Sequence, residues 1–171
     1  MVLRSLFSRP DRSAVRGVQL YFSPGSVIVA AVHQNQQGIY YEQPEPLVLP
    51  GSPTAAQLGA AFRRGFDAFS VHDKDLSGMK RSDWPAFRAS GLRSLKEFQS
   101  LFRPMHCYGL NPSNAVVRAS MAHPTEDDIE LSVSFNPLLA PEEVGGMLLH
   151  LARVADAAWA GRRDDTGPDS V

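Results

Sequence analysis

The 171-residue chain has one cysteine, almost no net charge and no long apolar run. Each shortage excludes something. Cys107 alone cannot close an intrachain disulfide, so the fold must be held by its core, and a reducing, cytoplasmic compartment is the simplest setting for a lone thiol. Seventeen Lys and Arg against eighteen Asp and Glu leave a net charge of −1. The basic excess that drives binding to phosphate backbones is therefore missing, and nucleic acid is not the expected partner. The stretch Met1-Val2-Leu3-Arg4-Ser5-Leu6-Phe7-Ser8-Arg9 is basic and partly apolar, but Arg4 and Ser5 break it. It falls short of the roughly 7–15 apolar residues of an export signal and the roughly 20 of a membrane span, so residues 1–14 read as a basic leader. Residues 161–171 have almost nothing apolar to bury and read as a disordered tail. No Gly-x-Ser-x-Gly elbow and no Gly-rich phosphate loop after a strand occur. The Gly145-Gly146 pair lies inside an apolar helical stretch, where it would let that helix approach a neighbour closely.

What the chain does have is an internal duplication. Val27-Ile28-Val29-Ala30-Ala31-Val32-His33 enters a polar turn, Gln34 to Gly38, followed by Ile39-Tyr40-Tyr41. Ala115-Val116-Val117-Arg118-Ala119-Ser120-Met121-Ala122-His123 enters another, Pro124 to Asp128, followed by Ile129-Glu130-Leu131. A shift of 90 sets His33 on His123 and Ile39 on Ile129. Ser23-Pro24-Gly25-Ser26 and Asn111-Pro112-Ser113-Asn114 precede the two copies, each with Pro in the second place of a turn. A Leu/Pro-rich segment and a helix then close each half.

Each repeat reads as three strands and a helix: Val18–Phe22, Val27–His33 and Ile39–Leu49 in one, Met105–Leu110, Ala115–Ala122 and Ile129–Phe135 in the other. Thr54-Ala55-Ala56-Gln57 is a capping box that satisfies first-turn donors, and Leu58, Phe62, Phe66 and Phe69 make the stripe behind it. The last helix starts at Pro141, with Val144, Leu148, Leu151, Val154, Ala155 and Trp159 facing inward. Ser94-Leu95-Lys96-Glu97 announces a helix between the repeats, with Leu95, Phe98, Leu101 and Phe102 on one face. Short links inside each triplet favour antiparallel pairing, and runs of strands argue against a parallel doubly wound sheet. The expected fold is α+β: a largely antiparallel sheet of about six strands, built from two βββα repeats and flanked by helices. One domain spans 15–160, with repeat one at 18–69, a linker and central helix at 70–104, and repeat two at 105–159.

Candidate chemistry is sparse. Asp73-Lys74-Asp75-Leu76-Ser77-Gly78 opens like a calcium loop, but its twelfth position is Trp84 where a bidentate Glu is needed, so it reads as a polar turn. Cys107 directly follows His106, and neighbouring strand residues point to opposite faces, which places that imidazole badly to take the thiol proton. His33 and His123 are too few to hold a metal alone. Charge placement is more informative. The turn of the first repeat, Gln34-Asn35-Gln36-Gln37, is neutral, whereas Glu126, Asp127, Asp128 and Glu130 put four carboxylates into five residues of the second. Such a knob selects a basic partner and speeds its association, or else protects a hairpin from edge aggregation. The segment Ser70 to Gly91, with Asp73, Asp75, Asp83, Trp84 and Phe87, is a second candidate surface because so long a non-periodic stretch is uncommon in a compact domain.

The paired units ending in Gln57-Leu58-Gly59-Ala60-Ala61-Phe62-Arg63-Arg64 and Glu142-Glu143-Val144-Gly145-Gly146-Met147-Leu148-Leu149, with Ser94-Leu95-Lys96-Glu97-Phe98 between them, give an element order with a familiar form. From about Val18 to Ala158 it resembles the immunity proteins of bacterial contact-dependent growth inhibition systems. The resemblance implies a cytoplasmic protein, not an enzyme and without a cofactor, that binds and blocks the C-terminal toxin domain, often a nuclease, delivered by a neighbouring cell. No binding residue is carried over, because the matching motif is structural. The near-zero charge also departs from the acidity expected of a nuclease inhibitor, so complementarity must be local, at Glu126, Asp127, Asp128 and Glu130 with Asp73 and Asp75. Two other readings stand beside this one: a small thiol-dependent hydrolase or transferase using Cys107 with His106, His33 or His123, and an adaptor or oligomer-forming domain.

Overall fold

The computed structural model describes residues 14–80, 83–111, 114–126 and 129–162. Its strands are β1 (Arg16–Ser23), β2 (Ser26–Gln34), β3 (Tyr40–Glu42), β4 (Leu47–Pro50), β5 (Ser70–Val71), β6 (Arg103–Asn111), β7 (Asn114–Ala122) and β8 (Glu130–Phe135). The helices are α1 (Ala55–Asp67), α2 (Pro85–Ala89), α3 (Leu95–Leu101) and α4 (Pro141–Arg162). The sheet runs β3-β2-β1-β6-β7-β8, with β4 and β5 also pairing β2. All pairings are antiparallel except that of β5, which runs parallel to the end of β2 at His33 and Gln34.

The expected α+β architecture is therefore present: among the described residues six strands form the hydrogen-bonded path of the sheet, and β4 and β5 add to it along β2. The single strand expected over Ile39–Leu49 is two, β3 and β4, separated by the segment holding Pro44 and Pro46. Pro has no N–H for a ladder, and Glu45 between them takes a left-handed φ of 63°. The two halves join through β1 and β6, where Val18 faces Cys107, Gln19 faces His106 and Leu20 faces Met105.

The turns after β2 and β7 align with one adjustment to the expected register. Strands β2 and β7 begin and end 88 residues apart, whereas Ile39 and Ile129 after the turns are 90 apart. The second turn is two residues longer. Asn35, not His33, occupies the place of His123: Asn35 Oδ1 accepts from the N–H groups of Gln37 and Ile39, as His123 Nδ1 accepts from those of Thr125 and Glu126. His33 and His123 fall at diagonally opposite corners of the sheet, because β2 and β7 run in opposite directions.

Alternation along the strands sorts side chains onto two faces. On one, Val18, Leu20, Val27, Val29, Met105, Cys107, Val117, Ala119, Met121 and Phe135 meet α1 and α4 in the main core. The capping box of α1 is complete, Gln57 N–H to Thr54 Oγ1 at 3.2 Å and Thr54 N–H to Gln57 Oε1 at 2.9 Å. Its stripe Leu58, Phe62 and Phe66 is buried, as are Val144, Leu148, Leu151, Ala155 and Trp159 of α4, while Val154 is 40% exposed. The two helices touch through glycine: a Cβ on Gly59 would lie 1.6 Å from Pro141 O, and one on Gly145 1.8 Å from Ala55 O. No side chain fits at either place. Arg63 ties the turn before α4 to α1 by donating through Nη2 to Pro137 O at 2.5 Å and Leu139 O at 2.8 Å.

The other face is half covered. Over β1 and β2, the insert between the repeats lays Ala86, Phe98 and Phe102 on Tyr21, Ile28 and Ala30, with Trp84, Phe87, Leu92 and Leu95 around them. Trp84 and Phe87, expected on a surface, are thus anchors of a second core, and Leu101 of the predicted α3 stripe is 43% exposed instead. Over β6, β7 and β8 the same face is more open, with Arg118, Glu130, Ser132 and Ser134 exposed.

Candidate functional site

The uncovered half of the sheet is polar. One row crosses it from strand to strand, Gln19 to His106 to Ser120 to Ser132, and the next carries Tyr108, Arg118 and Ser134. Polarity largely follows cover: positions roofed by the insert are Tyr21, Ile28 and Ala30, whereas those left open are mostly serine, arginine and histidine, with Val116, 41% exposed, among them. Arg118 forms an ion pair with Glu130 across this floor. His106 stands half-buried near its middle, its ring nitrogens without a hydrogen-bond partner among the described residues. Burial pulls its pKa below the ordinary histidine value, with the Glu130 carboxylate opposing. At neutral pH it presents a neutral imidazole to whatever covers the floor.

The insert forms a wall beside this floor, and a cleft of about 310 Å³ opens where they meet, lined by Gln19, Tyr40, Tyr41, Glu42, Met79, Lys80, Trp84 and Pro85. A broader groove of about 940 Å³ continues from Tyr41, Glu42, Met79 and Pro85 toward His33, His72 and Lys74. Glu42 sits where the two meet and is 8% exposed. Its carboxylate accepts from Tyr21 O–H at 2.5 Å, Trp84 Nε1–H at 2.5 Å and Ala86 N–H at 2.7 Å. Burial raises its pKa, and these three donors work against the rise by favouring the charged form. Desolvation and the neighbouring Glu42 charge push the Tyr21 hydroxyl far above the usual phenol range. Gln19 Oε1 lies 2.6 Å from Tyr21 Oη and competes with Glu42 for its single proton, and Gln19 Nε2–H donates to Tyr108 Oη at 3.1 Å. Sequence reasoning missed Glu42. It sits in a Tyr-Tyr-Glu-Gln-Pro stretch that reads as strand end, and only the folded insert brings Trp84 to it.

The residues singled out from sequence divide between two corners. Glu130 lies on the open floor. Glu126 closes the turn after β7, its carboxylate 3.8 Å from His123 Nε2, while Asp127 and Asp128 lie outside the described residues. Asp73 and Asp75 follow β5, at the opposite end of the strands. With strands about 4.8 Å apart and about 3.3 Å of rise per residue, they lie on the order of 30 Å from Glu130. Asp75 accepts from Ser77 N–H and Oγ–H at 2.8 Å each, the internal bonding of a turn, which holds its carboxyl below the usual range. No group of three or more His, Cys, Asp or Glu suited to a metal occurs among the described residues.

Cys107 is fully buried in the main core, and desolvation pushes its thiol far above the ordinary value. His106 points to the opposite face, as alternation requires, and His33 and His123 are held elsewhere, by Ser70 Oγ at 2.9 Å and by the turn at Thr125. Among the described residues no imidazole is bonded to this thiol, and burial favours its protonated form. No described helix is long and apolar enough to cross a membrane.

No protein-family model matches the chain, and no curated protein is similar to it in sequence. Solved structures do share its fold. A protein of unknown function, NMB0488 from Neisseria meningitidis, is 12% identical with a TM-score of 0.59, over 80% of this chain and 93% of that one. A chain of the CdiA-CT/CdiI toxin and immunity complex from Yersinia pseudotuberculosis is 10% identical with a TM-score of 0.59, over 82% of this chain and 97% of that one. At these identities the likeness is one of fold.

Proposed function

We propose that the chain is an immunity protein that binds and neutralises a cognate toxin domain, a nuclease delivered by contact-dependent growth inhibition. The observation that carries this reading is the fold shared with a chain of a toxin and immunity complex, over nearly the whole of that chain. The layout is compatible with it. The catalytic candidates in the sequence are dispersed or sealed, and a polar, half-roofed sheet face offers a docking floor.

The toxin-contacting surface is the open floor of β6, β7 and β8 together with the acidic turn of Glu126, Asp127, Asp128 and Glu130 beside it. A standard interface of about 800 Å² per partner is a patch roughly 30 Å across. Asp73 and Asp75 join the same contact only if the toxin crosses the whole floor. Carboxylates at the rim set association rate and selectivity, while the cleft between floor and wall supplies the desolvated anchors. Co-expression with the toxin encoded just upstream tests the reading. Growth rescue with recovery of a stoichiometric complex is expected, and toxicity undiminished at equal expression would overturn it.

A further inference from the structure

Glu42 is unusual in its charge balance. A carboxylate taken out of water is costly unless a cation or a full set of donors meets it. Glu42 has three donors, and no Lys, Arg or His nitrogen lies within ion-pairing distance of it among the described residues. Oε1 accepts twice, from Tyr21 and Trp84, but Oε2 accepts once, from Ala86. A carboxylate offers about four lone-pair positions, so among the described residues one on Oε2 is unused. The group nevertheless lines both the cleft and the groove. The cleft also presents the rings of Tyr40, Tyr41 and Trp84. Lys80, on its rim, is exposed, and Lys74 Nζ is already placed over the Tyr41 ring at 5.6 Å from its centroid.

We propose that the Glu42 cleft is a receptor for an arginine side chain of the protein partner, its guanidinium donating to Glu42 Oε2 and lying against the rings of Tyr40 and Trp84. The chemistry favours arginine over lysine. A planar, weakly hydrated guanidinium stacks on aromatic faces and enters a dry site at lower cost than a compact ammonium. A volume of about 310 Å³ accommodates the guanidinium and the stem behind it. Filling the cleft would complete the carboxylate's shell and bury a hot-spot residue where floor meets wall. The inference rests on the toxin-binding reading for the identity of the partner, but not for the chemistry of the cleft.

The test uses the intact protein, labelled with 15N, and three small probes: N-acetyl-arginine methylamide, its lysine counterpart and the neutral citrulline analogue. The reporters are the Trp84 indole N–H and the Ala86 amide, both bonded to Glu42. The arginine probe should shift both saturably in the millimolar range, at least about tenfold more tightly than citrulline, with lysine between them. Equal shifts from arginine and citrulline, or none from either, would overturn the proposal. Glu42→Gln should erase the preference for arginine over citrulline. Should that variant fail to fold, the charge comparison on the unaltered protein decides by itself. Toxin neutralisation without an arginine preference would sink this inference alone, and an arginine preference without a toxin partner would sink only the functional reading.

Discussion

Replacing Gly59 by alanine puts the closest helix contact of the molecule under a direct load. The added Cβ would stand 1.6 Å from Pro141 O and 2.4 Å from Pro141 C, against about 3.2 Å for a tolerable approach. Neither partner is the end of a flexible side chain, so α1 and α4 must part by about 1.5 Å, loosening Leu58 and Phe62 against Val144 and Leu148. Overpacking of this kind costs roughly 1–3 kcal/mol and more where backbone opposes backbone, while Gly→Ala in a helix returns at most about 1 kcal/mol. A net loss of about 2 kcal/mol or more is expected, or about 4–8 °C in Tm for a chain of this size. Gly145→Ala, with Ala55 O at 1.8 Å, should behave alike. Gly146→Ala, whose Cβ meets nothing within 4 Å, should leave stability unchanged or raise it by up to about 1 kcal/mol. Urea unfolding followed by far-UV dichroism measures all three. Gly59→Ala or Gly145→Ala as stable as the parent would refute the glycine-mediated contact.

Three further outcomes follow from the site. His106 has a lowered pKa in the fold, so the unfolded chain binds its proton first, and stability should fall as pH drops below about 6.5 until the native imidazole also titrates. His106→Gln should flatten that acid limb, and an unchanged slope would count against burial as the cause. Arg118→Ala and Glu130→Ala should each change stability by less than about 1 kcal/mol, because the pair is exposed. Glu130→Ala should slow toxin association and Arg118→Ala should speed it or leave it unchanged, read by stopped-flow or surface plasmon resonance, and a rate unaltered in Glu130→Ala would move the contact off this floor. Cys107 should resist a thiol reagent such as dithionitrobenzoate in the folded protein and react fully in urea; rapid native labelling would contradict its burial.

Much of the main core was legible because it rests on periodicity. The helical stripe of Leu58, Phe62 and Phe66 and the alternation of Val18 and Leu20 each declare one buried face. The Thr54 capping box and the close approach through Gly145 were likewise written in local residue types. The second core was not, because Trp84 and Phe87 sit in a stretch with no regular period and are buried only by docking on Tyr21 and Ile28. Glu42 was hidden for the same reason: its donors come from β1, from Trp84 and from the start of α2. Spacing in sequence also paired His33 with His123, whereas the longer second turn puts Asn35 in that place. The acidic residues illustrate a related limit, since composition groups Asp73 and Asp75 with Glu130 and only topology separates them by the width of the sheet.

Titration calorimetry of the purified protein with the catalytically inactive toxin domain encoded upstream tests the central claim most directly. A single binding event at one-to-one stoichiometry, weakened by substitutions on the β6–β8 floor and unaffected by exposing the folded protein to a thiol reagent beforehand, is the predicted result. No heat of binding at micromolar concentrations of both proteins, with each shown to be folded, would contradict it.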